Sequence, residues 1–141
     1  MATAREIMSG GAECARVTDT LTEAAQRMRD LDVGALPICG EDDRLKGMIT
    51  DRDIAIECVA AGGDPTKVTV QEFASDKPVT IGADDSVDEA LRTMSQHAVR
   101  RLPVIDGHEL IGMLTQADIA KNCPDDMTAD LVKAISSSAS N

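Results

Sequence analysis

A nine-residue phrase occurs twice in this chain of 141 residues and divides the sequence into two repeats. GMITDRDIA begins at Gly47, GMLTQADIA begins at Gly112, and six of the nine residues are identical. The likeness extends upstream, where TLTEA at 20–24 aligns with SVDEA at 86–90. A repeat of this length restricts the fold to two copies of one supersecondary unit, because a single copy cannot bury its apolar face alone.

Each repeat has the same local pattern, which predicts the order strand, helix, strand, strand, helix. Thr20 and Ser86 are predicted helix N-caps, and Glu23 or Glu89 follows three residues on, as in a capping box. The approximate predicted bounds are leading short helices at AREIM and VQEFA, first strands at 13–17 and 78–81, helices at 20–32 and 86–97, hairpins from ALPIC to RLKGMIT and from RLPVI to ELIGMLT, and second helices after Thr50 and Thr115.

The predicted fold class is α/β (α+β), with two pseudo-symmetric β-α-β-β-α units packed sheet to sheet. The strand–helix–strand part favours a right-handed crossover between parallel strands, and the hairpin adds an antiparallel strand. Helices on one face of each sheet leave the other face apolar, so we expect the two sheets to cover each other. The predicted domains are 1–66 and 67–124, and we expect 125–141 to form a C-terminal helix near 127–135 and a frayed tail, SSSASN.

Composition narrows the class of protein. The chain has no Trp or Tyr and one Phe, so the core must be aliphatic, with Met filling gaps. A formal net charge of −11 disfavours nucleic acid as a partner, because such binding requires neutralisation of phosphates. No apolar run has the length of a membrane span, and the N-terminus lacks the pattern of a signal peptide. We therefore expect a soluble, cytoplasmic protein that has no membrane partner.

The segments VGALPICGEDDRLKGMITDRDI and VRRLPVIDGHELIGMLTQADI resemble the CBS domain, named after cystathionine beta-synthase, in its tandem pair or Bateman module. Both contain an aliphatic-Pro-aliphatic strand and a Gly-x-aliphatic-Thr-x-x-Asp ending. The resemblance implies a ligand-sensing module that binds AMP, ADP, ATP or S-adenosylmethionine in clefts between the repeats, and it implies a homodimer. It also implies a stand-alone regulatory protein of the stress-response type, with an unidentified protein partner and no required cofactor.

The Thr-x-x-Asp corners, Thr50 with Asp53 and Thr115 with Asp118, are the candidate ligand-binding residues. One interpretation is helix capping by the Thr hydroxyl and the acid. The other is ribose recognition, since a carboxylate can accept hydrogen bonds from two neighbouring hydroxyls. Asp is short for the return bond of a capping box, which favours the ligand interpretation, although both roles can coexist.

Arg100 and Arg101 distinguish the second repeat from the first, which has Gly34 and Ala35 at the corresponding positions. The resemblance implies that basic residues here meet ligand phosphates, and guanidinium forks suit phosphate. We therefore predict that the site with Thr115, Asp118 and the two arginines favours a phosphorylated ligand. The alternative is that the arginines pair with surface carboxylates of this acidic chain.

The cysteines and histidines support other hypotheses. Cys14 and Cys39 fall on strands predicted to be parallel neighbours, so a disulfide between them is one hypothesis and two reduced packing thiols are the other. Cys58 and Cys123 are predicted packing residues on equivalent helices. His97 and His108 are expected to be solvated and too far apart to share a metal, so no metal site is predicted, although His97 alone could join a site across an interface.

No Ser-His-Asp or Cys-His arrangement is present, so we do not expect an enzyme. The alternative to the sensor is a ligand-free dimeric stress-response or interaction protein in which the cysteines have a structural or redox role.

Overall fold

The computed structural model describes residues 2–75 and 77–137. In chain order the elements are α1 (Ala4–Ile7), β1 (Ser9–Gly10), β2 (Ala15–Arg16), α2 (Leu21–Leu31), β3 (Ala35–Cys39), β4 (Leu45–Thr50), a π-helix (Asp53–Val59), a 3₁₀ turn (Val70–Phe73), β5 (Ile81–Gly82), α3 (Val87–His97), β6 (Arg101–Asp106), β7 (Glu109–Thr115), α4 (Gln116–Asn122) and α5 (Asp125–Ser136). The mixed α/β class and the predicted element order are confirmed in both repeats.

The chain forms two compact units whose limits differ from those of the repeats. The first unit is Glu13–Pro78, and the second unit is Met1–Ala12 together with Val79–Asn141. The domains predicted from the sequence, 1–66 and 67–124, follow the order of the chain. The structure instead assigns the leading segment, Met1–Ala12, to the unit built by the second repeat.

The first unit contains a three-stranded sheet in the order β2-β3-β4. β2 is parallel to β3, and β3 is antiparallel to β4, as the strand–helix–strand and hairpin pattern predicts. Helix α2 supplies the apolar stripe that packs on this sheet. The core of the unit consists of Ala15, Leu21, Ala24, Met28, Leu36, Ile38, Ile49, Cys58 and Val70.

The second unit repeats this arrangement and adds one strand that the sequence pattern did not reveal. Its sheet has the order β1-β7-β6-β5, and β1 pairs antiparallel with β7. The pairing depends on Gly112, since a Cβ there would lie 2.6 Å from the Ser9 carbonyl oxygen. Gly47 of the first unit similarly lies against the backbone of 73–75, and the Ser75 N–H donates to the Lys46 carbonyl. The glycine of the repeated phrase therefore admits a neighbouring backbone in both units.

The helix ends follow the predicted capping chemistry only in part. Thr20 and Glu23 form a complete capping box, with Glu23 N–H donating to Thr20 Oγ1 and Thr20 N–H donating to Glu23 Oε1, both at 3.1 Å. At α3, Ser86 accepts from the Glu89 N–H at 3.2 Å, whereas the Glu89 carboxylate pairs with Arg92 at 2.7 Å. The second box is thus half formed, because Arg92 competes for the acid that would return the bond.

The C-terminal helix predicted near 127–135 is confirmed as α5, which buries Leu131 and Ile135. Of the tail expected to be frayed, residues 138–141 lie outside the described part of the chain. Among the described residues, none of the helices combines the length and the apolar character needed to traverse a bilayer.

Candidate functional site

The two Thr-x-x-Asp corners lie where the last strand of each sheet ends. In the first unit, Thr50 N–H donates to Asp53 Oδ2 at 2.9 Å and Asp53 N–H donates to Thr50 Oγ1 at 3.0 Å. In the second unit, the corresponding bonds between Thr115 and Asp118 are 2.9 and 3.2 Å. The sequence-based argument that Asp is too short for the return bond was wrong, because both carboxylates reach their Thr N–H. Capping is therefore a role of both pairs.

The two carboxylates differ in how fully they are engaged. Asp118 is 8% exposed, and its oxygens also accept from Thr115 Oγ1 at 3.0 Å and from Ser9 Oγ at 3.1 and 3.4 Å. Asp53 is half-buried, and within residues 2–75 and 77–137 its carboxylate accepts only from the Thr50 N–H. The first corner thus keeps a carboxylate oxygen available, whereas the second corner is already occupied by side chains of its own unit.

Different side chains flank the two corners. In the second unit Arg101 pairs in register with Thr115, and the Arg100 carbonyl accepts from Gln116 N–H at 2.8 Å. The structure therefore brings the predicted arginines next to the second Thr-x-x-Asp corner. The Arg100 side chain is exposed and forms no ion pair with any carboxylate in the described part of the chain, whereas Arg101 is half-buried. The alternative of surface ion pairing thus finds no support at Arg100.

In the first unit, Gly34 and Ala35 take the places of the arginines. Ala35 pairs in register with Thr50, and the Gly34 carbonyl accepts from Asp51 N–H at 2.9 Å. The Asp51 carboxylate lies beside Gly34, 3.1 Å from where a Cβ would be, and accepts from the Arg52 N–H at 2.8 Å. The first corner accordingly carries two acids and one arginine, whereas the second carries one acid and two arginines.

The cysteine pair predicted on neighbouring strands forms a disulfide. Cys14 and Cys39 have a Cα–Cα separation of 5.6 Å, and the bond ties the residue before β2 to the end of β3. Arg27 of α2 donates to the Cys14 carbonyl and lies 3.7 Å from the Asp19 carboxylate. The disulfide thus lies in a part of the first unit that polar contacts also fix.

The other two cysteines are free and pack against the cores, as predicted. Cys58 lies in the π-helix and is 4% exposed. Cys123 follows α4 immediately and is half-buried against the core of the second unit. Burial, and after it the negative charge of Asp88, raises the pKa of the Cys123 thiol above its ordinary value of 9.0. This thiol is correspondingly less reactive than an exposed one at neutral pH.

The histidines lie on the surface. His97 is the last residue of α3, His108 lies in the turn between β6 and β7, and both are exposed. Among residues 2–75 and 77–137, no three His, Cys, Asp or Glu side chains converge as ligands of a metal ion.

An open cleft of about 780 Å³ in the first unit was not anticipated from the sequence. It lies at the hairpin turn, at the opposite end of β4 from Thr50, and its wall includes Gly40, Asp42, Lys46 and Gln71. Lys46 pairs with Asp42 at 3.3 Å, and Glu41 adds a second acid to the wall. Only the turn-forming residues in GEDD marked this place in the sequence.

Comparison with known proteins gives consistent matches. A family described as CBS domain matches residues 4–59 and 70–125. Hypoxic response protein 1 of Mycobacterium tuberculosis is 52% identical over 137 residues, which is 97% of this chain and 96% of that protein. A CBS domain-containing protein of Bacillus subtilis is 36% identical over 122 residues, which is 86% of each chain.

Two crystal structures resemble the fold and differ in what they hold. The structure of Hypoxic Response Protein I contains two coordinated zinc ions. It matches this chain with a TM-score of 0.80 at 52% identity, over 87% of this chain and 100% of the other. A CBS domain pair in complex with 5′-methylthioadenosine and S-adenosyl-L-methionine has a TM-score of 0.76 at 28% identity, over 86% of this chain and 94% of the other.

Proposed function

Because this chain belongs to the CBS domain family and carries two copies of the domain, we propose that it is a non-catalytic regulatory sensor of an adenosine-containing ligand. The ligand is AMP, ADP, ATP or S-adenosylmethionine, held in clefts between the repeats. A related CBS pair that is 28% identical was crystallised with two adenosyl compounds, which supports this ligand class. The likeness to a protein named for its hypoxic response supports a stress-response role.

The observation that carries the proposal is the free capacity of the Asp53 carboxylate. Thr50 occupies part of one oxygen, and the side chain is half-buried instead of solvated like a surface acid. A carboxylate held in this way can accept hydrogen bonds from both hydroxyls of a ribose. The capping bond fixes the carboxylate, so the same contact that stabilises the corner also orients it for a ligand.

The second corner suits a phosphorylated ligand better than the first. Arg101 begins β6 opposite Thr115 and Arg100 precedes it, so positive charge stands beside Thr115 and Asp118. In the first unit, Asp51 stands near this position and would repel a phosphate. We assign ribose recognition to Asp53 and Asp118, hydroxyl contacts to Thr50 and Thr115, and phosphate contacts to Arg100 and Arg101.

A thermal-shift assay with AMP, ADP, ATP and S-adenosylmethionine at millimolar concentration tests the proposal, because a ligand that binds only the native state raises the unfolding midpoint. Isothermal titration then compares Asp53→Asn and Asp118→Asn with Asp51→Asn. Asp51 is an exposed acid at a variable position of the first Thr-x-x-Asp corner, and its replacement removes the same charge without removing a repeated motif residue. Binding should weaken in the first two variants, whereas Asp51→Asn should bind a phosphorylated ligand as well or better, because it removes a repelling charge. An unchanged midpoint with all four compounds would refute the sensor.

A ligand-free structural or redox protein is the second candidate function. The Cys14–Cys39 disulfide favours it, and so do the capping bonds of both corners, which need no ligand. The result that would favour this candidate is an unfolding midpoint that is unchanged by every adenosyl compound but falls when the disulfide is reduced.

The assembly and the cellular place are also proposals. We propose a homodimer by analogy with the family, and Ile56 and Val59 of the π-helix are exposed apolar side chains that a partner could cover. Light scattering coupled to size exclusion would measure the mass in solution. A related structure contains zinc, so metal analysis of the same sample would show whether this protein also holds it. The proposed function requires no metal. The proposed location remains cytoplasmic.

A further inference from the structure

The hydrogen bond from Ser9 to Asp118 joins residues that are 109 positions apart in the chain. Ser9 lies on β1, which pairs with β7 through Ser9 opposite Met113 and Gly10 opposite Gly112. Its hydroxyl donates to Asp118 Oδ1 at 3.1 Å and lies 3.4 Å from Oδ2. This geometry reproduces what a sugar hydroxyl would do at the same carboxylate.

We propose that β1 is a strap that closes the second corner, with Ser9 acting as an internal competitor for the ligand hydroxyls. Asp118 Oδ2 accepts from the Thr115 N–H and hydroxyl, and Oδ1 accepts from Ser9. A carboxylate offers about four acceptor positions, and three are taken here, so both hydroxyls of a ribose can bind only after the Ser9 hydroxyl has left Oδ1. This inference rests on the proposed function, because it concerns the same carboxylate.

The first unit provides an internal comparison. Ser75 stands 66 residues after Ser9 and occupies the equivalent place on the repeat, next to Gly47. Its hydroxyl oxygen accepts from the Lys77 N–H at 3.2 Å and makes no bond with Asp53. The two corners therefore differ: the first is open to a ligand, and the second opens only when the strap is released.

The leading segment is held unevenly along its length. Ala4 of α1 is fully buried in the core, and the N–H groups of Ala4 and Arg5 donate to the carbonyls of Asp85 and Ala83 at 2.9 Å, whereas Ser9 and Gly10 are exposed. The strap can therefore release from β7 while α1 stays packed. Arg5 of α1 lies 3.4 Å from the Asp84 carboxylate and 3.1 Å from that of Asp106, and all three side chains are substantially exposed. Exposed ion pairs contribute little, and β1 is only two residues long. The apparent affinity of the second corner is lowered by the fraction of molecules in which the strap is closed. Binding there would in turn free residues 9–10 from β7, which gives the sensor an output.

Calorimetric titration with AMP tests the strap on the full chain. Wild type should show two sites, and Ser9→Ala should strengthen one of them about fivefold to tenfold, where tenfold corresponds to about 1.4 kcal/mol. Ser9→Thr keeps a hydroxyl and should keep the wild-type affinities, and Ser75→Ala should leave both sites unchanged. Adding Asp118→Asn to Ser9→Ala should remove the strengthened site, which assigns it to the second corner.

Hydrogen exchange gives a separate readout. AMP added to wild type should speed amide exchange at residues 8–10, because the ligand displaces the strap. Two sites of unchanged affinity in Ser9→Ala, or slower exchange at 8–10, would overturn the strap and leave the sensor intact. Absence of AMP, ADP, ATP and S-adenosylmethionine binding in every variant would overturn both. Melting curves confirm that each variant is folded before titration.

Discussion

A Cβ atom at Gly112 would lie 2.6 Å from the carbonyl oxygen of Ser9, so only glycine lets β1 reach β7 at this point. The Met8 side chain would be equally close, but a flexible thioether can move aside, whereas the backbone carbonyl can move only if β1 shifts. The glycine of the repeated phrase is therefore a structural requirement of strand pairing.

Gly112→Ala should destabilise the second unit by about 2 kcal/mol, because the added methyl overpacks the contact and displaces β1. Gly10→Ala is the matched control on the facing strand, since a Cβ at Gly10 meets no atom within 4 Å. It should change the free energy of unfolding by less than about 0.5 kcal/mol. Urea denaturation of both variants measures the difference. Equal effects would show that β1 does not pair at Gly112 in solution.

Replacing the two motif acids should affect stability unequally. Asp118→Ala should cost about 2 kcal/mol, because it removes a buried acceptor and leaves the donors of Ser9 and Thr115 unpaired at a part-buried site. Asp53→Ala should cost about 1 kcal/mol, the usual loss of a helix cap, because its carboxylate serves only the Thr50 N–H among the described residues. Thermal unfolding without ligand measures both values. A larger loss for Asp53→Ala would contradict the difference in engagement.

The repeat was sufficient to predict the element order, because the hydrophobic periodicity that distinguishes strands from helices can be recognised within a short stretch of sequence. The pairing of β2 with β3 and of β3 with β4 follows from chain order and short turns. The Thr20–Glu23 capping box was likewise readable, since all its atoms lie within one turn. At Glu89 the same reasoning was incomplete, because Arg92 one turn later takes the carboxylate.

What the sequence did not predict depends on contacts between distant residues or on backbone detail. The two-residue strand β1 has no period of its own, and its partner β7 lies about a hundred residues away. The Ser9–Asp118 bond is hidden for the same reason. The second helix of the first repeat is a π-helix, and hydrophobic spacing does not distinguish five-residue from four-residue hydrogen bonding in a segment so short.

Reduction of the Cys14–Cys39 disulfide should lower the stability of the first unit. The bond closes a loop with a sequence separation of 25, for which the chain-entropy model gives about 3.5 kcal/mol. Dithiothreitol should therefore lower the melting temperature of the wild type. The Cys14→Ser/Cys39→Ser double variant should have a lower melting temperature without reductant, and dithiothreitol should not change it. Mass measurement after alkylation of the denatured, unreduced protein should show two modified thiols. Four modified thiols would mean that the cysteines remain reduced in solution.

The half-buried Cys123 thiol should make stability depend on alkaline pH. Burial and the nearby Asp88 charge raise its pKa above 9.0 in the folded state, whereas in the unfolded chain it titrates near the ordinary value. Between these two values the unfolded state loses the proton first, so the contribution of this thiol to stability is complete below pH 9.0 and falls as pH rises through the folded pKa. The chain has no Tyr, so phenols do not obscure this range.

Urea denaturation from pH 8 to about pH 10.5 should show a steeper loss of stability for wild type than for Cys123→Ser, which has no thiol to ionise at this position. The alkylation rate of Cys123, resolved by mass spectrometry from that of Cys58, should rise with a midpoint above that of the urea-unfolded protein. Coincident midpoints would show that the folded chain does not shield this thiol.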